Sequence, residues 1–232
     1  MKPLVSVIIP VYNGASYLGE AIESALAQDY ESLEIIVADD ASSDDSVAVA
    51  RSFPGVTVLA LEHGGVSVTR NAAVAASTGE MLAFLDSDDL WFPGKISAQV
   101  ALAGRFPEAG IFLCERIHKF EEVPSWYVWP TEPQIPKICF EPSAWLVRRS
   151  TFDKVGPFEA GRALGEDLNW LMRAWSMGCS HRIVQEVQLV RRIHGSNASA
   201  ALPSVEMQTM SLLRESIAIK RAMREPAADA TK

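Results

Sequence analysis

Four short apolar segments alternate with helical segments over the first ninety residues of this 232-residue chain. The apolar segments are rich in β-branched residues, as expected for buried strands. The segments between them show helical spacing of apolar residues, for example Leu18, Ile22 and Ala25. This β-α-β-α-β-α-β order predicts an α/β fold with a mostly parallel central sheet and right-handed crossovers. The predicted strands are 4–9, 33–38, 56–61 and 81–85.

Acidic residues follow two of these strands at the point where each strand ends. Asp39 and Asp40 follow the second strand, and Asp86, Asp88 and Asp89 follow the fourth. Open α/β sheets bind ligands in the crevice at the carboxyl ends of their strands. On an extended chain, the side chains of Asp86 and Asp88 point to one side, roughly 7 Å apart. That spacing suits a divalent cation held together with the phosphates or ribose of a nucleotide.

Both acidic clusters also have a purely structural interpretation. Asp88 or Asp89 could cap the next helix, and Asp39 and Asp40 could stabilise a turn. The functional alternative is that Asp39 or Asp40 accepts the imide N–H of uracil or the ring N–H groups of guanine. Tyr12, on the neighbouring loop, could then stack on the base.

Composition and motifs exclude several classes of protein. The formal charge of −8 argues against non-specific nucleic-acid binding. Cys114, Cys139 and Cys179 show no CxxC spacing, which favours reduced thiols over disulfides or a zinc site. The first loop lacks the glycine patterns of dinucleotide and P-loop sites. The absence of a signal peptide and of an apolar run near 18 residues predicts a cytoplasmic protein that spans no membrane.

The second half is predicted to contain helices 95–105 and 166–177 and strands 111–114, 143–147 and 187–193. Residues 118–142 form a loop rich in proline and aromatic residues. Aromatic faces suit stacking on sugars, so Trp126 and Trp129, together with Trp145 on the following strand, are candidate acceptor contacts. The structural alternative is an Ω-like loop that covers a hydrophobic flank.

Charged residues beyond the acidic strand ends are further candidates. Glu166 and Asp167 occupy the first turn of a helix, whose dipole stabilises ionised carboxylates. An ionised Asp167 could act as a general base, although acids occur at this position for structural reasons alone. Arg70, near a helix start, could reach a nucleotide or simply be solvated. His194 follows the last strand and could bind a metal, contact a phosphate or pack.

Residues 203–224 form a final predicted helix with an apolar face and a basic end. We expect it to pack on the body of the protein, with peripheral membrane docking as the alternative. Residues 225–232 form a frayed tail.

Together these segments resemble the family 2 glycosyltransferases of GT-A fold, a Rossmann-like arrangement, over residues 4–199. The resemblance rests on the motifs at 6–13, 39–44, 70–71 with Gly79, 84–89, 149–158, 166–167 and 192–194. It departs from the family pattern at Ala41, where Gly is usual, and at Asn169, where an acid is common.

The resemblance implies a single GT-A domain at 1–202, followed by the helix and tail at 203–232. Residues 1–90 would form its nucleotide-binding half and residues 91–202 its acceptor-binding half. Asp88 and His194 would bind Mn²⁺ or Mg²⁺. The implied donor-binding residues are Pro10, Tyr12, Asp39 or Asp40, Arg70 and Asp86. Asp167 would be the catalytic base, with Glu166 contacting the acceptor.

The implied reaction moves a sugar from a nucleotide-diphosphate sugar to an acceptor hydroxyl, with inversion at the anomeric carbon. The family favours UDP, with GDP and dTDP open. The acceptor could be a glycan, a lipid-linked glycan, a peptide or a small molecule. One alternative is a non-catalytic nucleotide-sugar or glycan binding protein. A sugar-nucleotide-forming nucleotidyltransferase is disfavoured, because the loop at 11–14 has no Lys or Arg.

Overall fold

The computed structural model describes residues 2–121, 137–138, 140–161, 165–195 and 197. The strands are β1 (Val5–Val11), β2 (Leu33–Asp39), β3 (Val56–Ala60), β4 (Met81–Phe84), β5 (Leu90–Trp91), β6 (Ile111–Phe120), β7 (Lys137–Ile138), β8 (Leu146–Arg148) and β9 (His181–Ile193). The helices are α1 (Ala15–Leu26), α2 (Ser46–Arg51), α3 (Val66–Ala76), α4 (Lys95–Arg105), α5 (Arg149–Val155) and α6 (Glu166–Ser176). The α/β fold is therefore confirmed.

The sheet has the order β3-β2-β1-β4-β8-β6-β9-β5, and β7 pairs with β6. β3, β2, β1 and β4 are all parallel, as predicted, and Ile8 in β1 aligns with Ile36 in β2 and Phe84 in β4. The carboxyl ends of these strands therefore share one edge of the sheet. The helix α3 packs against β1 and β2, and α4 packs against β6, β8 and β9.

The strand β1 extends beyond its predicted end at residue 9 and passes through Pro10, which aligns with Ala38. Proline lacks a backbone N–H and is tolerated where one side of a strand has no partner. The pairing of β1 with β4 ends at Ile8 and Phe84. At Pro10 the strand β1 is therefore paired with β2 only, which explains why the strand can continue.

The second half of the sheet is mixed rather than parallel. β8 is antiparallel to both β4 and β6, β9 is parallel to β6, and β5 is antiparallel to β9. Both β6 and β9 are longer than predicted, because they pair with each other from Ile111 and His181 to Phe120 and Ile193. The extra residues lie at the end of β6 and at the start of β9. The register shifts beside Glu115, which disrupts the alternation of side chains there. Residues 142–144 form a 3₁₀ turn instead of the start of the predicted sixth strand.

The backbone of Gly79 packs directly against residues 4–6 at the start of β1. A Cβ atom there would lie 2.5 Å from Ser6 Oγ and 2.8 Å from the Leu4 carbonyl oxygen. The Gly79 N–H donates to Ser6 Oγ and to Glu34 Oε1, both at 2.9 Å. The turn that leads into β4 therefore requires glycine, because any side chain would collide with β1.

An aromatic cluster fastens α5 and α6 to the sheet. Trp145 is fully buried and stacks on Phe158, with 6.2 Å between the ring centroids. The ring of Trp170 lies 5.5 Å from those of Trp145 and Phe152. Such aromatic pairs add about 0.5–1.5 kcal/mol each beyond their buried area. The side chain of Trp145 therefore belongs to the core, which argues against the predicted contact between Trp145 and an acceptor.

Several sequence predictions fall on residues outside the described part of the chain. These are Trp126, Trp129, most of the loop at 118–142 and the helix at 203–224. Within the described residues, no helix is long and apolar enough to cross a membrane. Cys114 is buried in β6, and burial raises the pKa of its thiol to about 11.

Candidate active site

Two loops at the carboxyl ends of β1 and β2 are fastened to each other by side chains. Asn13 Oδ1 accepts a hydrogen bond from Ser43 N, and Asn13 N donates to Ser42 Oγ, both at 2.8 Å. Asp44 Oδ2 accepts from Ala15 N at the start of α1, while its Oδ1 accepts from the first backbone N–H of α2, both at 3.0 Å. The Asp44 carboxylate thus accepts from the first backbone N–H of both helices and holds their starts together.

Asp39 and Asp40 use their carboxylates differently. Asp40 Oδ1 accepts from Gly64 N at 2.8 Å, and its Oδ2 accepts from Gly65 N at 3.0 Å. Asp39 Oδ2 accepts from Ser42 N at 2.9 Å, but its Oδ1 is buried and has no hydrogen-bond partner in the structure. A buried acceptor without a partner is costly. Asp39 therefore keeps one acceptor without a partner, whereas both oxygens of Asp40 hold the loop that precedes α3.

Tyr12 lies beside this pair on the exposed rim. Its side chain is 55% exposed, and its ring centroid is 4.8 Å from that of His63. His63 Nδ1 lies 3.0 Å from Asp40 Oδ2. Sequence reasoning missed His63, because a single histidine before two glycines has no distinctive pattern. The two rings are therefore linked to Asp40, the neighbour of Asp39 in sequence, and aromatic faces of this kind suit a planar ligand.

Arg70 bridges two carboxylates from opposite halves of the chain. Its Nη2 donates to Asp86 Oδ1 at 2.6 Å, and its Nη1 donates to Glu166 Oε1 at 2.7 Å. Only 3% of Arg70 is exposed, so the alternative of a solvated helix arginine is wrong. Burial lowers the pKa of Arg70, but Asp86 and Glu166 outweigh burial and raise the pKa above its ordinary value. This bridge brings the start of α6 to the end of β4.

The carboxyl groups after β4 crowd one another. Burial raises the pKa of Asp86, against the lowering effect of Arg70, and Asp88 adds to the rise. Burial also raises the pKa of Asp89 well above its usual range, with Asp88 and Asp86 adding to the effect. Asp89 Oδ1 accepts from the backbone N–H of Arg192 at 3.2 Å. A concentration of acidic groups this dense is well suited to a cation.

The capping interpretation of Asp88 and Asp89 is wrong. The helix that follows, α4, has Gly94 at its N-cap and no side-chain capping bond. Asp88 instead faces the end of β9, where its Oδ2 lies 3.1 Å from His194 Nε2. Asn197 Nδ2 donates to the same Asp88 oxygen at 2.9 Å. Among the residues that the structure describes, no group of three or more His, Cys, Asp or Glu side chains is placed to hold a metal by itself.

Asp167 lies in the first turn of α6, one residue beyond the Arg70 bridge. Burial, and then the neighbouring Glu166, raise the pKa of Asp167 to about 6, while the hydrogen bond from Leu168 N opposes the rise. The expected effect of the helix dipole alone, a stabilised carboxylate, is therefore outweighed. Asp167 is still mostly ionised at pH 7 and has a pKa closer to neutrality, which suits a general base.

The structure brings most of the predicted site residues to one edge of the sheet. Pro10 is buried in β1. Glu166 is 7% exposed, and its carboxylate accepts a hydrogen bond from Arg70, which argues against a direct contact between Glu166 and an acceptor.

Comparison with known proteins gives an independent result. The model of the family described as "Glycosyl transferase family 2" matches residues 6–162. An uncharacterized glycosyltransferase of Nostoc sp. is 30% identical over 241 residues, which cover 89% of this chain and 70% of the relative. The chain spans only 36% of the length of two rickettsial relatives that it matches at 39% and 40% identity.

The fold resembles solved glycosyltransferases. Staphylococcus aureus TarS 1–349 in complex with UDP-GlcNAc superposes with a TM-score of 0.76 at 19% identity, over 98% of this chain and 68% of that one. The mannosyltransferase PcManGT of Pyrobaculum calidifontis, in complex with GDP-Man and Mn²⁺, gives 0.71 at 21% identity, over 99% of this chain and 66% of that one. With the family match and the geometry above, these likenesses show that the chain belongs to glycosyltransferase family 2 and has the GT-A fold.

Proposed function

We propose that this protein is an inverting glycosyltransferase that uses a UDP-sugar, a divalent metal ion and Asp167 as the catalytic base. The observation that best supports this is the Arg70 bridge. One guanidinium contacts Asp86, at the end of the donor-side strand, and Glu166, the residue before Asp167. A donor bound at the strand ends and a base at the start of α6 would then be separated by about the width of the Arg70 guanidinium and its two carboxylate partners. Such fixed proximity is a large part of catalysis.

The Asp39 carboxylate favours uracil over guanine. Uracil has one imide N–H, which can donate to the unpartnered Asp39 Oδ1. Guanine presents two adjacent donors and would pair best with both carboxylate oxygens, but Asp39 Oδ2 already accepts from Ser42 N. Thymine carries the same imide group as uracil, so this argument leaves dTDP open. Tyr12 would stack on the base, and Asp86 would contact the ribose.

Asp88 and His194 are suited to bind the metal. Their Oδ2 and Nε2 atoms lie 3.1 Å apart. Adjacent ligands of an octahedral ion with bonds of about 2.1 Å are separated by about 3.0 Å. Asp88 and His194 would hold the metal together with oxygens of the donor diphosphate and water. A bound Mn²⁺ or Mg²⁺ would neutralise charge on the leaving diphosphate, and this donor set does not separate the two ions.

Asp167 would accept the proton of the acceptor hydroxyl. The acceptor oxygen then attacks the anomeric carbon from the face opposite the diphosphate, so the C–O bond to phosphate breaks with inversion. A carboxylate with a pKa of about 6 can hold this proton in the transition state and stay mostly ionised beforehand at pH 7. Glu166, held by Arg70, would position Asp167 rather than contact the acceptor.

Other features remain predictions of the sequence. They are the cytoplasmic location, the division into halves at 1–90 and 91–202, and the acceptor platform and membrane contact, which fall mostly outside the described residues. The acceptor class stays open.

The proposal is tested by nucleotide release from UDP-, GDP- and dTDP-sugars, with and without Mn²⁺. We expect slow metal-dependent release of UDP by the wild-type chain and none by the Asp88→Asn variant. Metal-dependent binding of UDP without release, even when candidate acceptors are added, would instead favour the non-catalytic binding protein. Failure to bind any nucleotide would refute the assignment of the donor site.

A further inference from the structure

We propose that Asn197 is a positioning residue that holds the two metal-ligand candidates, Asp88 and His194, side by side. This inference rests on the metal site of the proposed function. Asn197 is 7% exposed and lies three residues after His194, with its backbone N–H 3.4 Å from the His194 carbonyl oxygen. A short turn after β9 therefore brings its amide group back to the histidine.

The orientation of the Asn197 amide is set by its contacts. Its Oδ1 accepts from the backbone N–H of His194 at 2.6 Å, a bond that only the oxygen of the amide can make. The nitrogen Nδ2 must therefore face the other way. It lies 2.9 Å from Asp88 Oδ2, 3.1 Å from His194 Nε2 and 3.2 Å from the Arg192 carbonyl oxygen.

Both side-chain atoms that Nδ2 faces are the ligand atoms of the proposed metal site. His194 Nε2 and Asp88 Oδ2 lie at hydrogen-bonding distance, 3.1 Å. A protonated Nε2 would donate to the carboxylate, but the tautomer that can bind a metal presents a lone pair to Asp88 Oδ2, and the two then repel each other unless a positive group lies near both. The Asn197 amide donates to Asp88 Oδ2, and in that tautomer it can also donate to His194 Nε2, so it supplies the partial positive charge that keeps the two atoms side by side. Without it, the Asp88 side chain, which is 28% exposed, would be free to rotate toward solvent.

The imidazole is also held on its face. The rings of Tyr17 and His194 stack with centroids 4.4 Å apart and planes inclined by 23°. The guanidinium of Arg192 lies 5.3 Å from the Tyr17 ring, and it pairs with Glu20 at 2.6 Å. Tyr17 thus fixes the plane of the ring, and Asn197 fixes the position of its Nε2 edge relative to Asp88. Residues that orient metal ligands in this way commonly change metal affinity by about 10- to 100-fold.

The test is titration of the whole chain with MnCl₂ by calorimetry in the presence of UDP. Asn197→Ala is expected to weaken Mn²⁺ binding by about 10- to 100-fold and to leave UDP binding without metal unchanged. The matched control is Asn71→Ala, because the Asn71 amide also makes two backbone bonds, to Phe158, at 2.8 and 3.0 Å. That control should bind Mn²⁺ like the wild type. Wild-type Mn²⁺ affinity in Asn197→Ala would overturn the inference.

A second variant predicts a change in the opposite direction. Asn197→Asp keeps the shape of the side chain and the oxygen that accepts from His194 N. It replaces the amide nitrogen with a carboxylate oxygen, which would face Asp88 Oδ2 and repel it. Its melting temperature should be lowered without metal and should rise with Mn²⁺ by more than that of the wild type. An equal or smaller rise would overturn the inference, even if Asn197→Ala does not fold. If the wild-type chain binds UDP but no Mn²⁺, both this inference and the proposed metal site are overturned. The nucleotide site of the proposed function would still stand.

Discussion

The two halves of the sheet hold their functional groups in different ways. In the parallel half, Asp39 and Asp40 follow a strand end and are bound by backbone N–H groups of adjoining loops. Where the parallel half meets the mixed half, the groups are positioned by side chains distant in sequence, such as Glu166 by Arg70 and Asp88 by Asn197. Strand order therefore brings the residues of the proposed nucleotide site together, and contacts with backbone N–H groups of adjoining loops hold them, whereas the proposed base and metal ligands depend on contacts between side chains from the two halves of the chain.

The largest expected effect comes from the mixed half. Asp167→Asn should reduce sugar transfer by about 10²- to 10⁴-fold, because general-base catalysis is lost. Its UDP affinity should not change, since the parallel half binds the nucleotide. Burial raises the pKa of Asp167 to about 6, so ionisation at pH 7 opposes folding. The melting temperature of the variant should therefore equal or exceed that of the wild type.

The measurements for Asp167→Asn are product formation, UDP titration and thermal unfolding. The matched control is Asp153→Asn on the exposed face of α5, which should retain wild-type transfer. Transfer near the wild-type rate in Asp167→Asn would refute the assignment of the base.

Arg70 is the point at which the two halves meet, and its removal tests whether they depend on each other. Arg70→Leu leaves Asp86 and Glu166 without their cation, and breaking a buried pair of this kind costs about 3–5 kcal/mol. Urea unfolding should show this loss, with an intermediate loss for Arg70→Lys, which keeps the charge but not the two-pronged geometry. Arg51→Ala, at an exposed helix arginine, should change stability by less than about 0.5 kcal/mol. Equal losses at positions 70 and 51 would show that the bridge is not structural.

Asp39→Asn tests the nucleotide site without disturbing the base. In this variant the side-chain oxygen would accept from Ser42 N, so the amide nitrogen would face the uracil imide, donor against donor. UDP binding should weaken by about 10- to 100-fold, in line with 1–3 kcal/mol for an unpaired buried polar group. CDP provides the matched comparison, because N3 of cytosine is an acceptor. The variant should therefore bind CDP better, relative to UDP, than the wild type does. An unchanged ratio of UDP to CDP affinity would refute the role of Asp39.

The pH dependence of sugar transfer tests the proposed base, Asp167. Because the pKa of Asp167 is raised to about 6, the base is ionised above this pH and becomes protonated below it. The value of kcat/KM should fall as pH decreases through about 6, tending to tenfold per pH unit. Asp153→Asn should show the same acidic limb. A profile that stays flat down to pH 5 would contradict the proposed base.

Much of the parallel half could be predicted from the sequence, for a physical reason. Buried parallel strands are continuous β-branched runs, and polar residues at their ends must lie at one sheet edge. The predicted helix 95–105 is confirmed as α4. The mixed half was harder, because β6 and β9 carry charged residues and a register shift that only their mutual pairing explains. His63 and Asn197 had no recognisable pattern, since their roles depend on contacts between loops.

The smallest expected effect concerns Ala41, where the family usually has glycine. Ala41 has φ of 61°, a left-handed conformation that disfavours any residue with a Cβ atom. Ala41→Gly relieves this strain, worth about 1–2 kcal/mol, but loses about 0.4–1 kcal/mol through the more flexible unfolded chain. The net result should be a stabilisation of about 0.5–1 kcal/mol, measured by urea unfolding at unchanged m. Ala101→Gly, in the exposed middle of α4, should have the opposite sign, a loss of about 0.5–1 kcal/mol. If both variants lose stability alike, the loop after β2 does not hold Ala41 in the left-handed conformation in solution. The backbone of the parallel half would then be less rigid than the contrast between the two halves of the sheet implies.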